Sequence, residues 1–231
     1  MNETGYSFKD LSTKKKLEYI WDYYKIPIIL GIIFIYAIIS FVHGRLTAKD
    51  TVFRLVMVDS NVTAFIEESF LDGFAETLPD FDPDKEEMKL DANYDLSESG
   101  FGVYTIEQKL LAEYNVGSID GTIAPKEEIT ELAESQAFAD LTEALPEDLM
   151  EMINARDLEI LYNKYEDPAT GEIHEYPFVV NISSSPCISS GFKEATGDTY
   201  SYYDKDCYYA ICPNAENLEN SIAFLKFLLE C

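Results

Sequence analysis

The chain has 231 residues and is strongly acidic, with 17 Lys and Arg against 43 Asp and Glu and a formal net charge of −26. Residues 1–45 hold six basic and four acidic side chains, so residues 46–231 hold 11 basic and 39 acidic ones and carry a net charge of −28. Such a surface repels phosphate backbones, which excludes nucleic acid as an expected partner.

The first predicted element is an apolar, charge-free run at residues 26–42, IPIILGIIFIYAIISFV. With its aromatic flanks it reaches the length of about 20 residues that a membrane span needs. Five lysines precede it and only two basic residues follow shortly after, which places the N-terminus in the cytoplasm. A cleaved signal peptide is the alternative, but its apolar region is usually only about 7–15 residues long. We therefore expect an uncleaved, single-pass anchor at 26–43 in the cell membrane.

This anchor divides the chain into four parts. Residues 1–25 form a cytoplasmic, basic and aromatic amphipathic segment, whose lysines suit anionic headgroups and make membrane lipid an expected partner. Residues 44–51 are a linker. Residues 52–231 form the extracytoplasmic domain.

The pattern of residues 52–231 alternates between strands and helices, which predicts an α/β fold. We expect one doubly wound, mostly parallel lobe, with an added β-hairpin and a C-terminal helix. VFRLVMVDS (52–60) has the composition of a buried strand, and the 3.6-residue apolar period after it predicts a helix capped by Ser60 or Asn61. The other predicted elements of the lobe, in chain order, are a strand at 88–96, a helix at 103–114, a strand at 119–123, and helices beginning at Lys126 and Pro146.

The C-terminal third of the chain does not continue the regular alternation of strand and helix. Residues 159–187 have β-prone arms around a DPATG turn at 167–171, which predicts a hairpin. The aromatic stretch 199–212 predicts another strand, and the apolar period of 214–231 predicts the closing helix.

Three stretches of this domain, and the order in which they follow one another, carry a resemblance to a known family: SIDGTIAPKEEITELAESQAFADLTEAL, EIHEYPFVVNIS and YYAICPNAENLENSIAFLKFLLE. They resemble type 2 periplasmic-binding-protein-like domains, the extracellular solute receptors associated with ABC importers. The resemblance implies solute recognition without chemistry. Only about 25 residues separate Asn181 from Tyr208, where the family carries a whole second lobe. The resemblance therefore implies a truncated, membrane-anchored form with one lobe.

In a doubly wound lobe, ligands lie beyond the carboxyl ends of the strands. Ser60 and Asn61 lie at the end of the first predicted strand, Tyr94 and Asp95 lie near the end of the second, and Tyr176 lies on the crossing strand. We expect these five side chains to form the ligand-binding face. The alternative is that they are only capping and turn residues.

Motifs for chemistry are missing from the sequence. There is no nucleophile elbow, P-loop or paired CxxC, so we expect neither an enzyme nor a cofactor. DFDPDKEEMKLD (80–91) spaces its acidic residues like the start of a calcium loop, but Lys85 stands where that loop needs glycine. The pattern favours a solvated acidic loop over a metal site.

All four cysteines lie after the anchor, in a compartment that permits disulfides. Cys207 and Cys212, if they share a strand, are about 16 Å apart and on opposite faces. A disulfide requires Cα atoms within about 7 Å, so this pair is disfavoured. We expect Cys187 to pair with Cys207 or with Cys212; free thiols are the alternative.

The sequence therefore predicts a non-catalytic, membrane-anchored extracytoplasmic module that recognises a small solute. The alternative is a structural or assembly subunit of a transporter-like membrane complex, which binds a protein partner and no small ligand.

Overall fold

A computed structural model of the chain describes residues 12–62, 70–96, 101–135, 138–166, 170–193 and 199–231. The chain forms two compact units, one ending at Lys49 and the other, the C-terminal unit, comprising Asp50–Cys231. Most of the helix predicted after Asn61 falls at 63–69, outside the described residues.

Helix α1 (Thr13–Thr47) makes up most of the first unit and is 35 residues long. Its apolar window covers Trp21–Gly44, 24 residues with none of the window buried. At about 1.5 Å per residue this window is about 36 Å long, which exceeds a hydrocarbon core of about 30 Å. The helix thus has the length and composition of a membrane anchor or a signal sequence, and its apolar part is longer than the predicted 26–43.

The C-terminal unit contains strands and helices in alternation. Its strands are β1 (Asp50–Val58), β2 (Glu86–Tyr94), β3 (Gly121–Pro125), β4 (Ile160–Glu166), β5 (Ile173–Asn181), β6 (Phe192–Lys193), β7 (Thr199–Tyr200) and β8 (Cys207–Ile211). Its helices are α2 (Asp72–Ala75), α3 (Phe101–Asn115), α4 (Lys126–Glu134), α5 (Leu141–Ala144), α6 (Glu147–Ala155), α7 (Pro186–Ser189) and α8 (Leu218–Glu230).

Six strands form one mixed sheet in the order β2-β1-β3-β8-β5-β4. The pairs β1–β2 and β1–β3 are parallel, and the pairs β3–β8, β8–β5 and β5–β4 are antiparallel. The prediction of an α/β fold behind an apolar helix is confirmed, and so is the hairpin β4–β5. The prediction of a mostly parallel sheet is wrong for half of the sheet. β4 and β5 follow one another in the chain and pair directly as antiparallel strands, and β8 lies between β3 and β5, antiparallel to both.

Both faces of the sheet are covered, which explains the unbroken apolar run of β1. Phe53, Leu55 and Met57 lie in one core cluster with α8 and the short helices α2, α5 and α6. Val56 and Val58 lie in the other cluster, with α3 and α4. A strand that is buried on both faces has no polar alternation, as its sequence predicted.

The connection between β5 and β8 runs over residues 182–206, and its described parts, 182–193 and 199–206, pack onto the sheet instead of forming a second lobe. It contains α7 and the small antiparallel pair β6–β7. The ring of Tyr202 lies 5.2 Å from that of Phe192 and 4.9 Å from that of Phe70, measured between centroids. These aromatic contacts join the described part of the connection to the face that carries α8.

The disulfide differs from the predicted one. Cys187 of α7 is bonded to Cys231 at the end of α8, with Cα atoms 5.9 Å apart. Cys207 and Cys212 are free and buried, on or just after β8 in the middle of the sheet. The prediction of a bond from Cys187 to Cys207 or Cys212 is therefore wrong. The sequence pattern could not show that α8 ends beside α7.

Loss of this disulfide should destabilise the C-terminal unit. The bond closes a loop with a sequence separation of 44 residues, so we expect Cys231→Ser to lower the free energy of unfolding by about 2–4 kcal/mol. Chemical unfolding of the full chain in detergent measures the loss. Cys187→Ser and the wild type reduced with dithiothreitol serve as controls and should lose the same amount; midpoints equal to that of the oxidised wild type would contradict the expectation.

Candidate binding cavity

A cavity of about 510 Å³ opens beyond the carboxyl ends of the parallel strands β1, β2 and β3. Strand-end positions were the predicted place for a ligand, because the ends of parallel strands meet at one edge of the sheet. The described residues that line the cavity are Asp59, Ser60, Asn61, Ala92, Asn93, Tyr94, Asp95, Pro125, Glu128, Tyr203, Asp204 and Lys205.

The structure brings together four of the five predicted ligand residues and separates the fifth. Ser60, Asn61, Tyr94 and Asp95 line the cavity. Tyr176 lies apart from it on β5, half-buried, and its hydroxyl accepts a hydrogen bond of 3.1 Å from Asn163 Nδ2. Tyr176 is therefore not among the residues that line the cavity, because it lies before the carboxyl end of β5, which is Asn181, and β5 is two strands away from β3.

Asp59 joins the ends of the first two strands. Its backbone N–H donates to the carbonyl of Tyr94 at 2.9 Å, and its carboxylate accepts the backbone N–H of Leu96 at 2.5 Å. Its φ of 49° is left-handed, a conformation that Asp and Asn adopt more readily than most residues. Asp59 therefore both shapes the floor of the cavity and directs a carboxyl group towards it.

The cavity is strongly acidic. Its described lining residues include four carboxylates, those of Asp59, Asp95, Glu128 and Asp204, and one ammonium group, that of Lys205. Burial raises the pKa of Asp59 to about 6; the Leu96 N–H opposes this rise, and the neighbouring carboxyl groups of Glu128 and Asp95 add to it. The charge balance favours a cation over an anion in this space.

Tyr94 and Asn61 line the cavity, and their polar groups form hydrogen bonds with neighbouring residues. The Tyr94 hydroxyl donates to Glu113 Oε2 at 3.0 Å, and the Lys109 ammonium lies 4.8 Å from the centre of its ring. Asn61 donates from its backbone N–H to the Tyr202 carbonyl at 2.9 Å and from Nδ2 to the Ser201 carbonyl at 3.2 Å. Asn61 thereby ties the end of β1 to the β5–β8 connection.

Tyr203 and Glu128 are cavity residues that the sequence reasoning missed. Tyr203 is buried, its hydroxyl donates to the Ile123 carbonyl at 2.9 Å, and burial raises its pKa well above the usual value. Glu128 lies in the first turn of α4, directly after β3. The sequence signal that could have identified Glu128 is its place in the first turn of a helix that directly follows a parallel strand. The sequence contains no comparable signal for Tyr203.

The remaining polar features offer little for chemistry. Burial raises the pKa of the Cys207 thiol to about 12 and that of Cys212 further, so neither is a thiolate near neutral pH. Among the described residues, no three His, Cys, Asp or Glu side chains are placed so that together they could hold a metal ion. In the acidic stretch 80–91, Asp82 Oδ2 forms an ion pair with Lys85 Nζ at 2.6 Å. Asp91 Oδ2 forms an ion pair with Arg54 Nη2, also at 2.6 Å.

Comparison with family models, with curated proteins and with solved structures finds no match to this chain. Only the fold and the cavity can therefore support a proposal about the function of this chain. They define an α/β domain with an acidic cavity at the ends of its parallel strands, in a chain that begins with a long apolar helix.

Proposed function

We propose that this chain is a single-pass membrane protein whose extracytoplasmic C-terminal unit recognises a small, positively charged solute without chemistry. The observation that carries the proposal is the acidic cavity at the strand ends, with four carboxylates and one ammonium group among its described lining residues. Its volume of about 510 Å³ lies within the roughly 300–1,000 Å³ typical of small-molecule sites.

Two observations support the proposed location. The lysines before the apolar window of α1 favour a cytoplasmic N-terminus. The Cys187–Cys231 disulfide suits an oxidising, extracytoplasmic compartment. In this arrangement the acidic C-terminal unit meets cations outside the cell, where its negative field raises their local concentration.

Thermal melts of the full chain in detergent test the solute proposal. Spermidine and arginine are the cationic probes, and glucose and glutamate are the controls. A cation at 100 times its dissociation constant adds about 2.7 kcal/mol, which raises the Tm of a domain of this size by about 5–10 °C. We expect this shift with a cationic probe, no shift with glucose or glutamate, and a smaller shift in Asp204→Asn than in the exposed control Asp148→Asn. A flat response to all four probes would contradict the proposal.

A second candidate is an assembly subunit that binds a protein partner. It is favoured by the hairpin β4–β5, where Tyr162 and Ile173 lie on one face and are 57% and 70% exposed. Cross-linking of the full-length protein in its membrane tests this candidate. A partner captured by wild type and lost in Tyr162→Ser and Ile173→Ser, together with flat melts, would favour assembly over solute recognition.

A further inference from the structure

Two carboxyl groups from distant parts of the chain meet at the cavity. Asp59 follows β1, and Glu128 lies in the first turn of α4. Both side chains line the same cavity, and the nearby Glu128 carboxyl group contributes to the raised pKa of Asp59. Glu128 Oε2 is shielded from solvent, and no N–H or O–H group of the described residues donates to it.

A hydrogen bond between two carboxyl groups requires a proton on one of them. An ionised carboxylate only accepts, so two ionised groups in contact repel each other. One shared proton converts the repulsion into a bond and leaves a single negative charge. In general, two carboxyl groups that share a proton take it up and release it as a pair.

The other groups around Asp59 decide which state is present. Asp95, after β2, repels the ionised form, while the Leu96 N–H stabilises it. From the β5–β8 connection come the buried Tyr203, whose hydroxyl is bonded to Ile123, and the cavity residues Asp204 and Lys205. Lys205 Nζ lies 3.8 Å from Glu127. Burial raises the pKa of Asp59 to about 6, so the proton is held in mild acid and lost at neutral pH.

We propose that a proton shared by Asp59 and Glu128 competes with the cationic solute, so that mild acid empties the cavity and neutral pH refills it. This inference rests on the proposed function. When the proton leaves, the first turn of α4 and the end of β1 carry two adjoining negative charges. The amino-terminal dipole of α4 stabilises part of this charge, and a bound cation compensates the rest.

The size of the effect follows from one competing proton. With a pKa of about 6, the deprotonated fraction falls about tenfold between pH 7 and pH 5. The affinity for a cation that binds only the deprotonated pair falls by the same factor. The charge of spermidine changes little over this range, because its amines titrate above pH 7.

The experiment is a calorimetric titration of the full chain in detergent with spermidine at pH 7 and at pH 5. For wild type we expect about tenfold weaker binding at pH 5. Asp59→Asn keeps the shape, the left-handed conformation and an acceptor oxygen for Leu96, so it should fold, bind weakly at pH 7 and lose the pH dependence. Glu128→Gln is a second variant with the same expectation, and the exposed Glu131→Gln of the same helix should keep the tenfold ratio.

The outcomes separate the two proposals. Equal affinity of wild type for spermidine at pH 5 and pH 7 would overturn the proton competition and leave solute recognition standing. A tenfold ratio that persists in both Asp59→Asn and Glu128→Gln would also overturn it, because the titrating group then lies elsewhere. Failure of spermidine and arginine to bind at either pH would reject the proposed function and the competition together.

The stability of the protein without solute gives an independent readout. The pKa of Asp59 is about 6 in the folded state and about 4 in the unfolded chain. A carboxyl group whose pKa is raised by folding stabilises the folded state fully below the unfolded pKa, and this contribution is lost as the pH rises through the folded pKa. For Asp59 the stability is therefore lost between about pH 4 and pH 6. We therefore expect Asp59→Asn to gain in Tm relative to wild type between pH 4 and pH 7. The exposed Asp84→Asn corrects for the general charge of the protein, and a gain of the same size in that control would contradict the shared proton.

Discussion

Replacing Asp120 by alanine should lower the free energy of unfolding of the C-terminal unit by about 3–5 kcal/mol. Asp120 is only 2% exposed, and its carboxylate accepts the backbone N–H groups of Arg54 at 2.8 Å and of Asn217 at 2.9 Å. Asn217 Nδ2 donates to it as well, at 3.2 Å. Alanine leaves these partly buried donors without their acceptor, at a cost of up to about 1–3 kcal/mol each. Chemical unfolding of the full chain in detergent measures the loss.

Asp120 links three elements, because Arg54 is in β1, Asn217 directly precedes α8 and Asp120 itself directly precedes β3. Asp120→Asn keeps one acceptor oxygen and should lose a smaller amount. Asp84→Ala, at an exposed carboxylate, should stay within about 0.5 kcal/mol of wild type. If Asp120→Ala unfolds at the same denaturant concentration as Asp84→Ala, Asp120 does not hold these elements together.

Phe224→Ala should be comparably destabilising, by about 3–5 kcal/mol. Phe224 of α8 is fully buried, and its ring centroid lies 4.9 Å from that of Phe53, 5.0 Å from that of Phe74 and 5.5 Å from that of Tyr209. Truncation removes the apolar transfer free energy of the ring, opens a cavity and breaks these edge-on and tilted contacts. The same unfolding experiment measures the effect.

The matched control for Phe224 is Phe227, nearly one turn further along α8 and only partly buried. Phe227→Ala should cost clearly less, because part of its ring already meets solvent and its site can relax. Phe224→Leu keeps most of the side-chain volume, so its loss of unfolding free energy should lie between those of Phe224→Ala and Phe227→Ala. Equal losses for Phe224→Ala and Phe227→Ala would contradict the central position of Phe224 in the core.

The β5–β8 connection has a consequence for the proposed function. A binding protein with two lobes encloses its solute between them. Here Tyr203, Asp204 and Lys205 of a short connection supply one wall, and the other described walls belong to the same domain as the strand ends. A small cation held by charge suits such a cavity better than a large solute that needs complete enclosure.

The local elements were predictable because local patterns encode them. The apolar run predicted the long helix, and the β-branched, unalternating run at 52–60 predicted the buried strand β1. The hairpin followed from its turn residues, and α8 from its apolar period. Four cavity residues were found because a ligand site at parallel strand ends depends only on where each strand stops.

The sequence by itself thus determined most of the described helices and strands and the burial of β1 on both faces, although the stretch 199–212, predicted as one strand, contains the two separate strands β7 and β8. Only the tertiary structure decided that β8 enters the sheet antiparallel, that Cys187 bonds to Cys231, and that Asp120 meets Asn217. It also decided that Glu128 and Asp59, 69 positions apart in the chain, line the same cavity. The physical reason is that periodicity and turn chemistry act over a few neighbouring residues. Contacts between distant residues depend on how whole surfaces pack, and a local pattern carries no record of that.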